Sequence, residues 1–143
     1  MKIQIKRIDN DFMMEAVNDT GNTLRMDGSE SIGGHNGGMR PMQLLLTAVG
    51  GCSAIDVITI LKKQRQDIHS FEVDVDGDSV KTDDHSVYKT IDIAFKMTGT
   101  IDPEKARRAA ELSFTKYCSV SKALEFSSEI TYSLYVNGEK VKG

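Results

Sequence analysis

Cysteine is scarce in this chain of 143 residues: Cys52 and Cys118 are the only two. Two cysteines are too few for a disulfide scaffold. They are either buried, inert small residues or a reactive pair in a reducing compartment. Charge of one sign is lacking as well. The net charge is −3, with acidic and basic residues interspersed, so no basic field points to nucleic acid and no acidic tail to a disordered partner arm. His35, His69 and His85 have neither HxxxH nor cysteine–histidine spacing, so no metal is expected from them. The glycine-rich stretch SESIGGHNGG, residues 29–38, has no strand leading into it at the spacing of a phosphate or dinucleotide fingerprint, and it reads as a flexible lead-in. The opening MKIQIKRIDNDF lacks the apolar block of a signal peptide, so a cytoplasmic protein is expected. Neither a repeat nor a linker appears, and the length suits a single domain over residues 1–143.

What the sequence does have is one long apolar run, PMQLLLTAVGGCSAIDVITILKKQRQ, from Pro41 to Gln66. Apolar residues occupy nearly every side of the helix it would form, the mark of a buried helix. Pro41 suits the first turn, and Lys62, Lys63 and Arg65 set cations at the negative end of the dipole. Gly50 and Gly51 should each cost about 1 kcal/mol relative to alanine in a helix interior. They are expected to admit a close backbone approach or a bend. Asp56 lies one turn beyond Cys52 on the same face. Asp56, the glycine pair and the polar remainder of the chain argue against the rival reading, a membrane span.

Around this helix the pattern is mostly of strands. Ile3, Ile5, residues 12–17 and residues 23–26 read as an antiparallel meander. Phe71, Val73 and Val75 alternate with acidic residues, and Ile91, Ile93, Phe95 and Met97 repeat the alternation after a polar turn at residues 81–86, which predicts a hairpin. Asp102 and Pro103 open a second helix running towards Cys118. A short helical turn at residues 119–124 and a strand through Ile130, Tyr132, Leu134 and Val136 close the chain. The order predicts an α+β domain, a long central helix flanked by antiparallel sheet. The helix carries more apolar surface than one sheet face and one short helix would cover, so a homodimer with paired central helices is expected.

Cysteine nucleophiles act as thiolates, and one that reduces peroxide needs a second thiol to resolve its sulfenic acid. Cys52 and Cys118, on or beside the two main helices, would close a disulfide if their Cα atoms came within about 4.4–6.8 Å. The segments PMQLLLTAVGGCSAIDV and CSVSKALEFSSEITYSL resemble the two cysteine motifs of the OsmC/Ohr family, in their separation and in the order of elements around them. The resemblance implies an intertwined homodimer with its active site near the subunit interface. It also implies thiol-dependent reduction of hydroperoxides, preferentially organic ones, with Cys52 attacking, Cys118 resolving and an external dithiol as reductant. No cofactor is implied.

The chain departs from the peroxidases of that family at the position after the helix-initiating proline. They carry a glutamate there, hydrogen-bonded to an arginine; this chain has Met42, followed by Gln43. Arg25 and Arg40 are the two candidates for the arginine, with Gln43 a further candidate for steadying the thiolate. Met39 and Met42 are candidates for lining an apolar substrate pocket, although ordinary core packing also accounts for them. The run GGC-A-IDV resembles a separate OsmC-like branch. The rival function is accordingly a binding protein that keeps the fold and holds a small apolar or acyl ligand at the dimer interface without peroxide chemistry.

Overall fold

In the computed structural model, which describes residues Met1–Gly143, the alternating N-terminal runs form β1 (Ile3–Arg7), β2 (Met14–Asn18) and β3 (Thr23–Met26). They make an antiparallel three-stranded sheet in the order β1-β2-β3, with Ile5 opposite Ala16 and Ala16 opposite Leu24. The chain divides into two compact units, Met1–Leu45 and Leu46–Gly143. In the first, Ile3, Ile5 and Leu24 remain exposed. The glycine-rich stretch is organised, in contrast to the flexible lead-in expected. A 3-10 turn forms at Glu30–Ile32, and Asp27, only 2% exposed, accepts hydrogen bonds from the backbone N–H groups of Gly28, His35 and Gly37. One buried carboxylate thereby satisfies three loop donors, and the Gly37 bond does most to hold its pKa below the ordinary carboxylate value.

The long apolar run forms α1 (Pro41–Lys63). Its entry is fixed by the Gln43 side chain, whose Oε1 accepts from the Arg40 N–H at 2.9 Å. It stops where Arg65 turns left-handed (φ 58°), letting the Arg65 and Gln66 N–H groups bond back to the carbonyls of Lys62 and Leu61. Within the single chain α1 is buried along one stripe, Val49, Gly50, Ser53, Val57 and Leu61, and not on every side. That stripe faces β4: a Cβ on Gly50 would lie 2.6 Å from Val75 Cγ2. What approaches Gly50 is thus the Val75 side chain and not the backbone expected of the pair, and a Cβ on Gly51 would meet nothing within 4 Å. By length and composition α1 is able to cross a membrane, yet it is the core helix of this fold.

The predicted hairpin is β4 (Asp67–Lys81) and β5 (Ser86–Thr100), two strands of 15 residues each in antiparallel register. Asp102 then caps α2 (Pro103–Leu112), its side chain accepting from the Glu104 N–H at 2.9 Å. The second helix ends earlier than the sequence suggests, because the chain widens into a π-helical turn at Ser113–Tyr117 before α3 (Ser119–Leu124). It finishes in β6 (Glu129–Val136) and β7 (Glu139–Lys140). The sheet order is β4-β5-β6-β7, antiparallel except for the β5–β6 pair, which is parallel. The crossover through α2, the π turn and α3 returns the chain to the end from which β5 started. Leu61, Val49 and Val57 of α1, Ile91, Ile93, Phe95 and Met97 of β5, and Ala106, Ala109 and Ala110 of α2 form the core of this unit.

Candidate active site

Cys52 lies midway along α1 and is half-buried. Asp56, four residues on, stands one helical turn away on the same face. The second thiol arrives from the crossover. Five residues of π turn carry the chain from α2 to Cys118, whose N–H bonds to the Ser113 carbonyl at 2.7 Å, the five-residue reach that defines such a turn. Phe114 pins this turn to β6 by stacking on Tyr132, centroids 4.7 Å apart and planes 10° from parallel. Beyond it the backbone is extended at Cys118 (φ −72°, ψ 99°), which caps α3.

Cys118 is fully buried. Its Sγ accepts from the Ser121 N–H at 3.4 Å, and the Ser121 hydroxyl donates to the Cys118 carbonyl at 2.9 Å. The two sulfurs and an Asp56 carboxylate oxygen all lie within 4.8 Å of one another, and both cysteines are free thiols. Ser113, itself buried, donates its hydroxyl to Asp56 Oδ2 at 2.9 Å. Burial pushes the Cys118 thiol above its ordinary pKa; the Ser121 bonds oppose this, while contact with Cys52 adds to it. Cys118 is thus held as a protonated thiol beside a more accessible partner. Next to Asp56, an open cavity of about 460 Å³ is lined by Thr59, Ile60, Lys63, Gln64, Leu112 and Tyr117.

The candidates Arg25, Arg40, Gln43, Met39 and Met42, and His35 with them, belong to the first unit. Arg25 is exposed and pairs with Glu15 at 3.7 Å. The Arg40 guanidinium donates to Asn36 Oδ1, and Gln43 holds the Arg40 N–H. Met39 forms a parallel bridge with Met26, and Met42 lies half-buried in the first turn of α1. His35 is not isolated in space: its Nε2 is 2.7 Å from Asp11 Oδ2, and this contact raises its pKa.

With this geometry in hand, comparison with known proteins is decisive for the family. The family model described as OsmC-like protein matches residues 34–133. The chain belongs to the OsmC-like family. It is 36% identical over 118 residues to Protein YhfA of Escherichia coli (strain K12), a match covering 82% of this chain and 84% of that protein. A hypothetical protein from Aquifex aeolicus VF5 superposes with a TM-score of 0.78 at 25% identity, covering 95% of this chain and 96% of the other. The organic hydroperoxide resistance protein OsmC from Legionella pneumophila has the same fold, with a TM-score of 0.66 at 14% identity over 94% and 96% of the two chains. In this OsmC-like chain, the residue that sequence reasoning missed is Ser113. Its hydroxyl donates to the Asp56 carboxylate, and its only signal in the sequence is a small polar residue between Leu112 and Phe114 on the second helix.

Proposed function

We propose that this OsmC-like protein reduces hydroperoxides, organic ones preferentially, as part of cellular defence against peroxides. The observation that carries this reading is the approach of a half-buried thiol, Cys52, to a fully buried one, Cys118. The Cys52 thiolate attacks the outer peroxide oxygen; an S–O bond forms, the O–O bond breaks, and the alkoxide takes a proton and leaves as alcohol. Cys118 sulfur then attacks the sulfenic sulfur, an S–S bond forms and water leaves. An external dithiol restores both thiols by exchange. The burial of Cys118 suits the resolving role, since a protonated, shielded thiol is slow to meet peroxide itself.

The same reading makes the protein a cytoplasmic homodimer whose uncovered α1 face meets a second copy. Arg25, Arg40 and Gln43 are the candidates for supporting the Cys52 thiolate, and Met39 and Met42 for lining the alkyl pocket. The name of the Legionella protein points to the same chemistry in a protein of like fold. In the test, Cys52→Ser abolishes consumption of an organic hydroperoxide. Cys118→Ser permits one attack and accumulates sulfenic acid or a mixed disulfide. Arg25→Ala and Arg40→Ala, assayed separately, identify the supporting cation by a slower Cys52 reaction. Undiminished turnover in both serine variants would refute the proposal.

A further inference from the structure

The site combines two sulfur donors with a carboxylate, and within its own unit that carboxylate is paired with a hydroxyl and with no lysine or arginine. For a divalent cation the same three groups are complementary. We propose that reduced Cys52 and Cys118, with Asp56, form a binding site for one thiophilic divalent cation of the zinc class.

The geometry supports this at each level. The donor atoms of Cys52, Asp56 and Cys118 lie within 4.8 Å of one another. Tetrahedral zinc with bonds of about 2.3 Å to sulfur and about 2.0–2.2 Å to oxygen holds its ligands roughly 3.5–3.8 Å apart. Small side-chain rotations therefore complete the site. The ligands sit on rigid supports: two lie one turn apart on α1, and the third is fixed by the π turn and by the Ser121 N–H on its sulfur. The Ser113 hydroxyl supplies the outer contact that a ligating carboxylate needs for its orientation. Cys118 closes the inner side of the site, and the cavity beside Asp56 leaves the outer side open, so the fourth position goes to water or another small ligand. Binding releases the two thiol protons to solvent. The disulfide cannot bind, because both sulfurs are then bonded to each other. Cys52 and Cys118 are far apart in sequence, which is why no metal spacing is visible there.

The inference stands independently of the hydroperoxide reading and is tested without measuring turnover. The full-length protein, reduced with a phosphine, is titrated with zinc against a chromophoric chelator and with cobalt(II), following thiolate-to-cobalt charge-transfer absorption. One equivalent of each metal is expected, with cobalt showing the intensity of two thiolates and a tetrahedral visible spectrum. Cys52→Ser should halve the charge-transfer band. Asp56→Asn, nearly isosteric, should keep the band and weaken zinc binding at least about tenfold, and Ser113→Ala should weaken it by roughly tenfold as an outer contact does. Disulfide-oxidised protein should bind neither metal. Failure of reduced wild-type protein to bind zinc would overturn the proposal, as would affinity unchanged by Cys52→Ser and Asp56→Asn, or equal binding by the oxidised form. A thermal unfolding curve for each variant separates lost ligation from lost fold.

Discussion

The two faces of α1 are built from nearly the same residue types and meet different surroundings. On one, Val49, Gly50, Ser53, Val57 and Leu61 are buried, and Val75 occupies the space a Cβ at Gly50 would need. On the other, Ala48, Gly51 and Thr59 are exposed, Ile55 is 68% exposed, and a Cβ on Gly51 would meet nothing within 4 Å. One sheet covers one face. Cys52 and Asp56, both half-buried, lie between the covered and uncovered sides.

The contrast breaks most visibly at Leu61. Leu61→Ala removes a fully buried side chain and is expected to cost about 2–5 kcal/mol, measured by urea denaturation, whereas Ile55→Ala should cost far less in the monomeric state. Gly50→Ala comes next. The new methyl meets a stiff β-branched neighbour, so overpacking of about 1–3 kcal/mol should outweigh the roughly 1 kcal/mol gained in helix propensity. The sign of the Gly51→Ala effect reports on the open face. A gain of about 1 kcal/mol is expected if that face stays in water, and a loss if a second copy packs there. Ile55→Glu, followed by light scattering, should halve the mass of a dimer while leaving the circular dichroism of the chain unchanged.

A smaller effect concerns pH. Burial raises the Cys118 pKa above its unfolded value, so its contribution to stability is fully present below the ordinary thiol range and is lost as pH rises through the folded value. Alkylation of Cys118 in a Cys52→Ser background should accordingly require a more alkaline midpoint in the native protein than in urea.

Much of this was legible in the sequence where a local pattern carried it. The alternation at Ile91, Ile93, Phe95 and Met97 marked the inner face of β5, and Asp102–Pro103 marked the start of α2. The final hairpin carries a local signal too: Asn137 and Gly138, both with positive φ, form the two-residue Asn-Gly turn that such hairpins favour. Other features depend on residues distant in sequence. The parallel pairing of β5 with β6 follows from the route of the crossover, and the order of the glycine-rich loop comes from Asp27 collecting backbone donors that side-chain identities do not announce. For the site, the resemblance of two motifs suggested pairing Cys52 with Cys118. The Ser113–Asp56 contact beside them emerged only once the π turn had placed Ser113.

The most direct test of the account is stopped-flow reaction of fully reduced protein with an organic hydroperoxide and with hydrogen peroxide, with mass spectrometry of the quenched product. A rapid loss of two thiols, formation of a Cys52–Cys118 disulfide and a faster reaction with the organic substrate are expected. Reaction no faster than that of a free thiol, or oxidation without that disulfide, would contradict it.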